Sequence, residues 1–299
     1  HLTDSFIMKN FYRTEVVDPQ NPQLELGAWW KLWYYTLNTD EKKSYHSLYQ
    51  SNFNKFLENN KHKDKAYLFG TGPSISQFRN FDFEDDSLKV ICNSIVKNND
   101  LLEYIGKPDL LVFADPLFHF STSGYARQFR EDMMQVVKKY GCFIAVPDFT
   151  APLLIAHFPA IEEHIIGIGH SKKITIPTKD DLSVLATDNI FTYLMLPMGA
   201  AVADEICVLG MDGRAPDDDY FWQHDKSSQY GDQLQKVKKA HPYFFISRNY
   251  SYYYKKHCKT VEKMIRHGES RGKQYCSLAA SNISPLCERT IERTENAER

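Results

Sequence analysis

The sequence lacks several features that would assign its class directly. Its apolar runs stay well short of the roughly 20 residues that a bilayer-spanning helix needs, and no secretory signal pattern opens the chain. The formal net charge is only −2 over 299 residues, so no overall positive field attracts nucleic acid. Internal repeats and low-complexity segments are missing as well. These absences favour a globular protein of about one or two domains, with no transmembrane segment and no nucleic-acid partner.

Cysteine pairs with the spacing of metal sites are also missing. The six cysteines are scattered along the chain, and none forms a Cys-x-x-Cys pair. Most stand in apolar segments typical of strands, which predicts buried thiols in a reducing cytoplasm rather than a zinc site. The residues concerned are Cys92, Cys142, Cys207, Cys258, Cys276 and Cys287.

Aromatic side chains crowd the first part of the chain. Trp29, Trp30, Trp33, Tyr34 and Tyr35 fall in one short stretch. Such a stretch fits a helix packed on the main domain, or a contact surface for a neighbouring domain or a second copy of the chain. A helix is predicted over residues 41–60, where apolar side chains recur at helical spacing. We therefore divide the chain into an aromatic, helical extension over residues 1–60 and a main domain over residues 61–299.

From residue 66 onward, short apolar runs alternate with helical patterns. Short apolar strands separated by helices are typical of a parallel sheet covered on both faces. The sequence therefore predicts an α/β fold with a Rossmann-like, doubly wound, mostly parallel sheet after a helical N-terminal segment. The predicted strands are 66–69, 89–92, 110–114, 142–146, 164–168, 205–209 and 274–278, and the clearest helices are 124–140, 189–203 and 250–267.

Polar residues follow these predicted strands where each strand ends. The first strand leads into a Gly-Thr-Gly-Pro-Ser turn at 70–74, where glycines let a ligand approach the backbone and a helix start offers unpaired N–H groups. An ordinary strand-to-helix turn is the alternative for this motif taken alone. Ligands of such sheets bind at the carboxyl ends of the strands, which favours a site for an anionic ligand such as a nucleotide phosphate. The polar residues after the other strands are Asn93, Ser94, Asp115, Asp148, Asp212 and Arg214.

The dinucleotide-binding fingerprint is not matched by this turn. Its third glycine is missing, and Asn93 stands where an acidic residue would close the second strand. An amide can hydrogen-bond a base or a ribose without adding negative charge. NAD-dependent enzymes are therefore disfavoured.

Five short motifs follow one another along the main domain. They are Gly-Thr-Gly-Pro-Ser at 70–74, Cys-Asn at 92–93, Phe-Ala-Asp-Pro at 113–116, Gly199 within an apolar helix, and Val-Leu-Gly-Met-Asp at 208–212. This order, over about residues 66–286, resembles a family of bacterial sialyltransferases that use CMP-sialic acid and are related to motility-associated flagellin glycosylation factors. The resemblance implies a GT-A-like variant of the Rossmann-like fold. It also implies a metal-independent, inverting transfer with no cofactor besides the CMP-sugar donor.

The resemblance further implies roles for individual residues. His241, which precedes Pro242, falls near the family's catalytic histidine, and a group that titrates near neutrality can take the proton from an acceptor hydroxyl. Asp115 stands where the family has a donor-contacting Asn. The residues that would contact the donor nucleotide are Gly70, Thr71, Gly72, Pro73, Ser74, Asn93, Ser94, Asp115, Gly199, Asp212, Asn282 and Ser284.

The sequence departs from the family pattern in two places. Of the Arg and the Thr-Ser-Gly that the family carries on one helix, only Gly199 is kept, and the tyrosines that bind the donor phosphate are out of register. Contacts to phosphate or substrate would then come from Arg214, Tyr220 or His224. The acidic run at 217–219 is expected to be a solvated turn, with metal ligands as the alternative.

The resemblance to these sialyltransferases implies that the protein is a glycosyltransferase. It would move sialic acid or a Kdo-like acidic sugar from a CMP-sugar donor to a glycan acceptor in bacterial surface-polysaccharide synthesis. We expect it in the cytoplasm, and peripheral association with the inner face of the membrane and homo-oligomerisation stay open. Two alternatives remain at this point: a Mg²⁺-dependent pyrophosphokinase acting on a pterin-like alcohol, and a non-catalytic nucleotide-binding domain of a larger capsule-assembly protein.

Overall fold

One parallel sheet of eight strands organises the residues that the computed structural model describes, which are 33–121, 123–213, 227–231 and 249–291. The strands lie in the order β6-β5-β4-β3-β2-β1-β7-β8, and every neighbouring pair is parallel. Helices flank this sheet, so the predicted α/β, Rossmann-like, doubly wound fold is confirmed. The strands are β1 (Lys65–Phe69), β2 (Leu88–Cys92), β3 (Leu110–Val112), β4 (Phe143–Pro147), β5 (Ile165–Ser171), β6 (Ser183–Leu185), β7 (Glu205–Leu209) and β8 (Gln274–Ser277).

The strands near the middle of the sheet are buried along their length. Strands β2, β3 and β4 expose no residue to solvent, because helices cover both faces of a parallel sheet. This burial explains why the strands read as unbroken apolar runs in the sequence. Strand β1 lies between β2 and β7, with Phe69 aligned to Ile91 on one side and to Leu209 on the other. The loops after these three strands therefore leave the sheet side by side.

Three of the longer helices match the sequence prediction closely, at Thr39–Asn60, Gly124–Tyr140 and Tyr250–Glu269. The helix Gly124–Tyr140 has the predicted bounds, and Gly141 ends it in the left-handed conformation that glycine adopts readily. In the described part of the chain, no helix has the length and hydropathy required to cross a membrane. The α-helices are α1 (Thr39–Asn60), α2 (Asn99–Ile105), α3 (Pro116–Phe120), α4 (Gly124–Tyr140), α5 (Ala151–His157), α6 (Leu196–Ala200), α7 (Tyr250–Glu269) and α8 (Ser284–Cys287).

Helix α1 packs on the same core as the sheet. Its N-terminus is closed by a capping box between Asn38 and Glu41, which satisfies backbone N–H groups that have no partner within the helix. The Tyr49 ring lies against Gly167 of β5, where an added Cβ would come within 2.4 Å of the ring. The Asn52 amide donates to the Ile165 carbonyl at 2.8 Å. The predicted boundary at residue 60 therefore coincides with the end of α1, and α1 packs in the same core as the sheet. The division into two domains stays a prediction.

Several elements differ from the sequence prediction, among them the short helices α2, α3, α5 and α8, which were not predicted. The single helix predicted over 189–203 is a π-helix, Phe191–Met195, that runs into α6. Pro197 in the first turn of α6 donates no backbone hydrogen bond and crowds the carbonyl four residues earlier, and the wider π turn accommodates it. Strand β6 was not predicted. It has only three residues and forms by pairing with the end of β5, where Gly169 aligns with Ser183.

The prediction of free, buried thiols is wrong for Cys207 and Cys276, which are not free, and for Cys287, which is exposed, while Cys258 is free and only half-buried. Cys207 of β7 and Cys276 of β8 are aligned partners on adjacent strands, with Cα atoms 4.7 Å apart, and they form a disulfide. The sequence pattern missed the pair because 69 residues separate the two positions. Cys92 and Cys142 are buried and free, as predicted, and burial raises the pKa of each thiol to about 12.

Candidate functional site

The order of the strands reverses at β1. From β1 the chain runs outward through β2, β3, β4, β5 and β6 on one side, and then returns to place β7 and β8 on the other side. The connections after β1 and β7 consequently leave in opposite directions, which opens a crevice at the carboxyl ends of these strands in folds of this class. The Gly-Thr-Gly-Pro-Ser turn and the Gly-Met-Asp-Gly segment both begin at this switch point.

The two glycine-containing loops interlock. Gly70 donates its N–H to the Leu209 carbonyl at 2.8 Å, and Gly72 donates to the Gly210 carbonyl at 2.9 Å. An added Cβ on Gly72 would lie 2.1 Å from an Asp212 carboxylate oxygen, and one on Gly210, where φ is +78°, would lie 2.3 Å from the Gly70 carbonyl oxygen. These glycines are therefore required for the close contact between the two loops, in addition to any approach of a ligand.

Asp212 fixes the start of the 3₁₀-helix Pro73–Asn80. One carboxylate oxygen accepts from the Ser74 backbone N–H at 3.0 Å, and the other accepts from the Ser74 hydroxyl at 3.0 Å. The Ser74 hydroxyl oxygen also accepts from the Gly210 N–H at 3.1 Å. Acidic groups are favourable at such a helix start because unpaired N–H groups and the helix dipole are positive there. The Asp212 carboxylate therefore accepts the hydrogen bonds that an anionic ligand would otherwise accept at this turn.

Asn93 is the most unusual residue at this edge of the sheet. It follows β2 directly and has a φ of +47°, the only non-glycine residue with positive φ in the described part of the chain. Its carboxamide oxygen is buried and has no hydrogen-bond partner among the described residues. An L-residue is strained in this conformation, although asparagine tolerates it better than most. Strain and an unsatisfied buried acceptor at one residue are both costly, and they concentrate at functional sites.

Ser94 and Asp115, two further predicted donor contacts, already have partners within the protein. The buried Ser94 hydroxyl donates to the Ser228 carbonyl at 2.5 Å. Asp115 caps α3 by accepting from the N–H groups of Leu117 and Phe118 at 2.8 and 2.9 Å. Ser94 therefore joins the 227–231 segment to the sheet, and Asp115 sets the start of a helix beside it.

The remaining predicted donor contacts lie at different distances from the switch point. Asn282 is exposed and joined to the β7 loop, because its N–H donates to the Asp212 carbonyl at 2.6 Å. Ser284 is exposed at the start of α8. Gly199 lies on a face of the sheet, where an added Cβ would come within 3.0 Å of the Leu68 side chain in β1. The structure thus gathers the 70–74 turn, Asn93, Asp212 and Asn282 at one edge and leaves Gly199 in the packing of α6.

Four predicted residues lie outside the residues that the structure describes. His241, the predicted catalytic base, is one of them, and the predicted phosphate or substrate contacts Arg214, Tyr220 and His224 are the others. The acidic run at 217–219 lies outside as well. The roles of all these residues stay predictions.

A cluster of titratable side chains at the ends of β4 and β5 was missed by the sequence reading, apart from Asp148. Burial raises the pKa of the Asp148 carboxyl to about 6. Burial, with Asp148 nearby, also raises the pKa of both Tyr49 and Tyr193 well above the usual range. The Tyr193 hydroxyl lies 2.6 Å from Nε2 of His170, and the Tyr49 hydroxyl has no partner among the described residues. The position of Asp148 directly after a strand was the one signal for this cluster.

Comparison of the chain with models of protein families gives no match, and comparison with curated proteins gives no significant similarity.

Proposed function

We propose that the protein is a metal-independent, inverting glycosyltransferase that uses a CMP-activated acidic sugar as donor and a glycan as acceptor. The nucleoside of the donor would bind at the carboxyl ends of β1, β2 and β7, and His241 would act as the general base. The observation that carries this proposal is the strained, unsatisfied Asn93 beside the glycine turn.

Asn93 suits the recognition of a neutral, hydrogen-bonding group. Its buried carboxamide oxygen needs a donor, and an exocyclic amine of a base or a ribose hydroxyl supplies one. The register places the residues after β2 beside those after β1, so a nucleoside over the glycine turn would come within reach of Asn93. The Asn93 carboxamide oxygen, which lacks a partner among the described residues, would gain a hydrogen bond when the ligand binds.

Asp212 constrains where the phosphate of the donor can lie. A phosphate at the Ser74 N–H would meet a carboxylate that already accepts from that group. Two like charges about 4 Å apart repel each other by roughly 4 kcal/mol near a protein surface. We therefore propose that the nucleoside covers the glycine turn, that the phosphate points away from Asp212, and that residues later in the sequence contact it. Arg214, Tyr220 and His224 belong to that part of the sequence.

The proposed chemistry needs few groups. The base removes the proton of the acceptor hydroxyl as that oxygen attacks the anomeric carbon, and CMP leaves with the bonding electrons from the opposite face. Hydroxyl and N–H donors can stabilise the leaving phosphate without a metal ion. A histidine, which titrates near neutrality, is suited to the proton transfer.

Ligand binding tests the proposal first. We would titrate the protein with CMP, UMP, GMP and AMP by calorimetry, in EDTA and in Mg²⁺, and compare Asn93→Gly with Asn59→Gly. Asn59 is exposed in the last turn of α1, near the opposite edge of the sheet, so it offers the same chemical change away from the site. We expect CMP to bind in EDTA, Asn93→Gly to bind at least about tenfold more weakly, and Asn59→Gly to bind normally. Binding that requires Mg²⁺ would favour the pyrophosphokinase alternative.

Turnover separates an enzyme from a nucleotide-binding domain. CMP release from CMP-sialic acid in the presence of glycan acceptors should be lost in His241→Ala while CMP affinity is retained. Unchanged turnover would remove His241 from the mechanism. Tight CMP binding with no turnover toward CMP-linked sialic acid or Kdo would favour the non-catalytic alternative.

A further inference from the structure

A second cleft lies at the amino ends of the strands, on the opposite edge of the sheet from the proposed donor site. Its volume is about 440 Å³, which is within the range of small-molecule sites. It is bounded by the residues that precede β1 and β3, by the start of β2 and by the end of α2. Its lining includes Lys63, Phe83, Asp85, Lys89, Glu103, Tyr104 and Asp109.

Lys89 is a buried cation that lines this cleft. Only 5 % of its surface is exposed, yet its ammonium group forms no ion pair with any carboxylate of the described residues. Within the same residues its single hydrogen bond reaches the Asp85 carbonyl at 3.5 Å, at the outer limit for such a bond. Burial lowers its pKa, and this effect outweighs the nearby acidic groups that raise it. A buried ammonium with three donors normally has better partners than this.

The buried acidic residue at the cleft, Asp109, is engaged elsewhere. One Asp109 carboxylate oxygen accepts from the Lys63 ammonium at 2.8 Å, and the other accepts from the Lys89 backbone N–H at 2.9 Å. The charge of Asp109 is therefore shared with Lys63, and the ammonium of Lys89, a residue that lines the cleft, keeps only its long hydrogen bond to the Asp85 carbonyl. An anion in the cleft would complete its hydrogen bonds.

Other lining residues narrow the chemistry of that anion. The exposed acidic residues Asp85 and Glu103 outnumber Lys107, the exposed cation at the cleft, and they disfavour a ligand with several negative charges. Phe83 and Tyr104 present aromatic rings in an edge-to-face pair with centroids 6.1 Å apart, which suits an apolar body. We propose that this cleft binds a small monocarboxylate with an apolar or aromatic body, whose carboxylate pairs with the Lys89 ammonium.

Benzoate is a suitable probe, with inorganic phosphate as the comparison. We expect saturable benzoate binding to the 299-residue chain by calorimetry, with weaker binding of phosphate. Lys89→Met removes the charge and keeps most of the buried stem, so benzoate affinity should fall at least tenfold. Lys138→Met, at an exposed position of α4, makes the same chemical change elsewhere and should bind like the wild type. Equal affinity in the two variants, or tighter binding of phosphate than of benzoate, would overturn the proposal.

A second measurement keeps the test valid if Lys89→Met does not fold. Reductive methylation of the wild-type protein, read by mass spectrometry, should modify Lys89 more slowly when benzoate is present and should modify Lys138 at an unchanged rate. No protection of Lys89 at benzoate concentrations that saturate calorimetric binding would place the ligand elsewhere. Failure of either measurement leaves the donor site untouched, because that site lies at the other edge of the sheet.

Discussion

Replacement of Asn93 by glycine should make the protein more stable and, at the same time, worse at binding its nucleotide. Glycine adopts a φ of +47° without strain, which recovers about 1 kcal/mol at a position where asparagine is already among the better-tolerated residues. Removal of a buried acceptor that lacks a partner recovers roughly another 1 kcal/mol. Glycine also loses more conformational entropy on folding than asparagine does, which lowers this gain by about 0.5–1 kcal/mol. The expected net gain is about 1 kcal/mol.

Calorimetric unfolding and urea titration measure this gain. For a chain of 299 residues, about 1 kcal/mol corresponds to a rise in Tm of roughly 2 °C. The same samples, titrated with CMP, should show the tenfold loss of affinity predicted above. Asn59→Gly should show neither the gain in stability nor the loss of binding.

Two results would refute this reasoning in different ways. A variant less stable than the wild type would mean that the Asn93 side chain contributes more to packing than its orphaned oxygen costs. If the variant gains stability and keeps its CMP affinity, the strained Asn93 does not contribute to nucleotide binding. A gain in stability together with a loss of CMP affinity would show that Asn93 lowers stability and is needed for binding.

Three further predictions concern stability. Burial raises the pKa of Asp148 from 3.8 to about 6, so ionisation of this carboxyl opposes folding as pH rises from about 4 to 6. In urea unfolding, Asp148→Asn should therefore be roughly 3 kcal/mol more stable than the wild type above pH 7, and the two proteins should be equally stable near pH 3. Reduction of the Cys207–Cys276 disulfide, which spans 69 residues, should cost about 4 kcal/mol in the same assay. Gly72→Ala should cost about 2 kcal/mol or more, because its Cβ would lie 2.1 Å from a carboxylate oxygen, whereas Gly231→Ala, with no atom of the described residues within 4 Å of its Cβ, should change stability little.

Each of these has a contrary outcome. A stability gain in Asp148→Asn that does not vary with pH would show that ionisation is not its cause. A double variant with serine at Cys207 and Cys276 should not respond to reductant; if it responds like the wild type, the disulfide is not what the reductant acts on. If Gly72→Ala and Gly231→Ala are equally stable, the two interlocked loops can separate without cost.

The strands were predictable from sequence because burial on both faces leaves a local pattern. Strand β7 was predicted with its observed bounds, and β1 and β2 to within one residue. Strand β6 could not be predicted, since three residues form a strand only because the end of β5 is there to pair with them. The π-helix before Pro197 was missed for a related reason, because its wider turn is a response to crowding inside the folded helix.

The candidate site was predictable as a set of positions and not as a set of contacts. The rule that polar residues after parallel strands meet at one edge placed the glycine turn, Asn93 and Asp212 together correctly. The sequence could not indicate that the Asp212 carboxylate would accept a hydrogen bond from the Ser74 N–H, since 138 residues separate the two positions. Nor could it indicate that the Asn93 oxygen would be buried without a partner.

Composition, apolar periodicity and the turn residues determined the class of this protein, a parallel α/β sheet with polar loops at the carboxyl ends of its strands, because each of these signals acts over a few neighbouring residues. The tertiary structure alone decided the pairing of Cys207 with Cys276, the interlocking of the two glycine loops and the buried cation at Lys89. These features depend on distances between residues far apart in the chain, and on the exclusion of water that only the packed fold brings about.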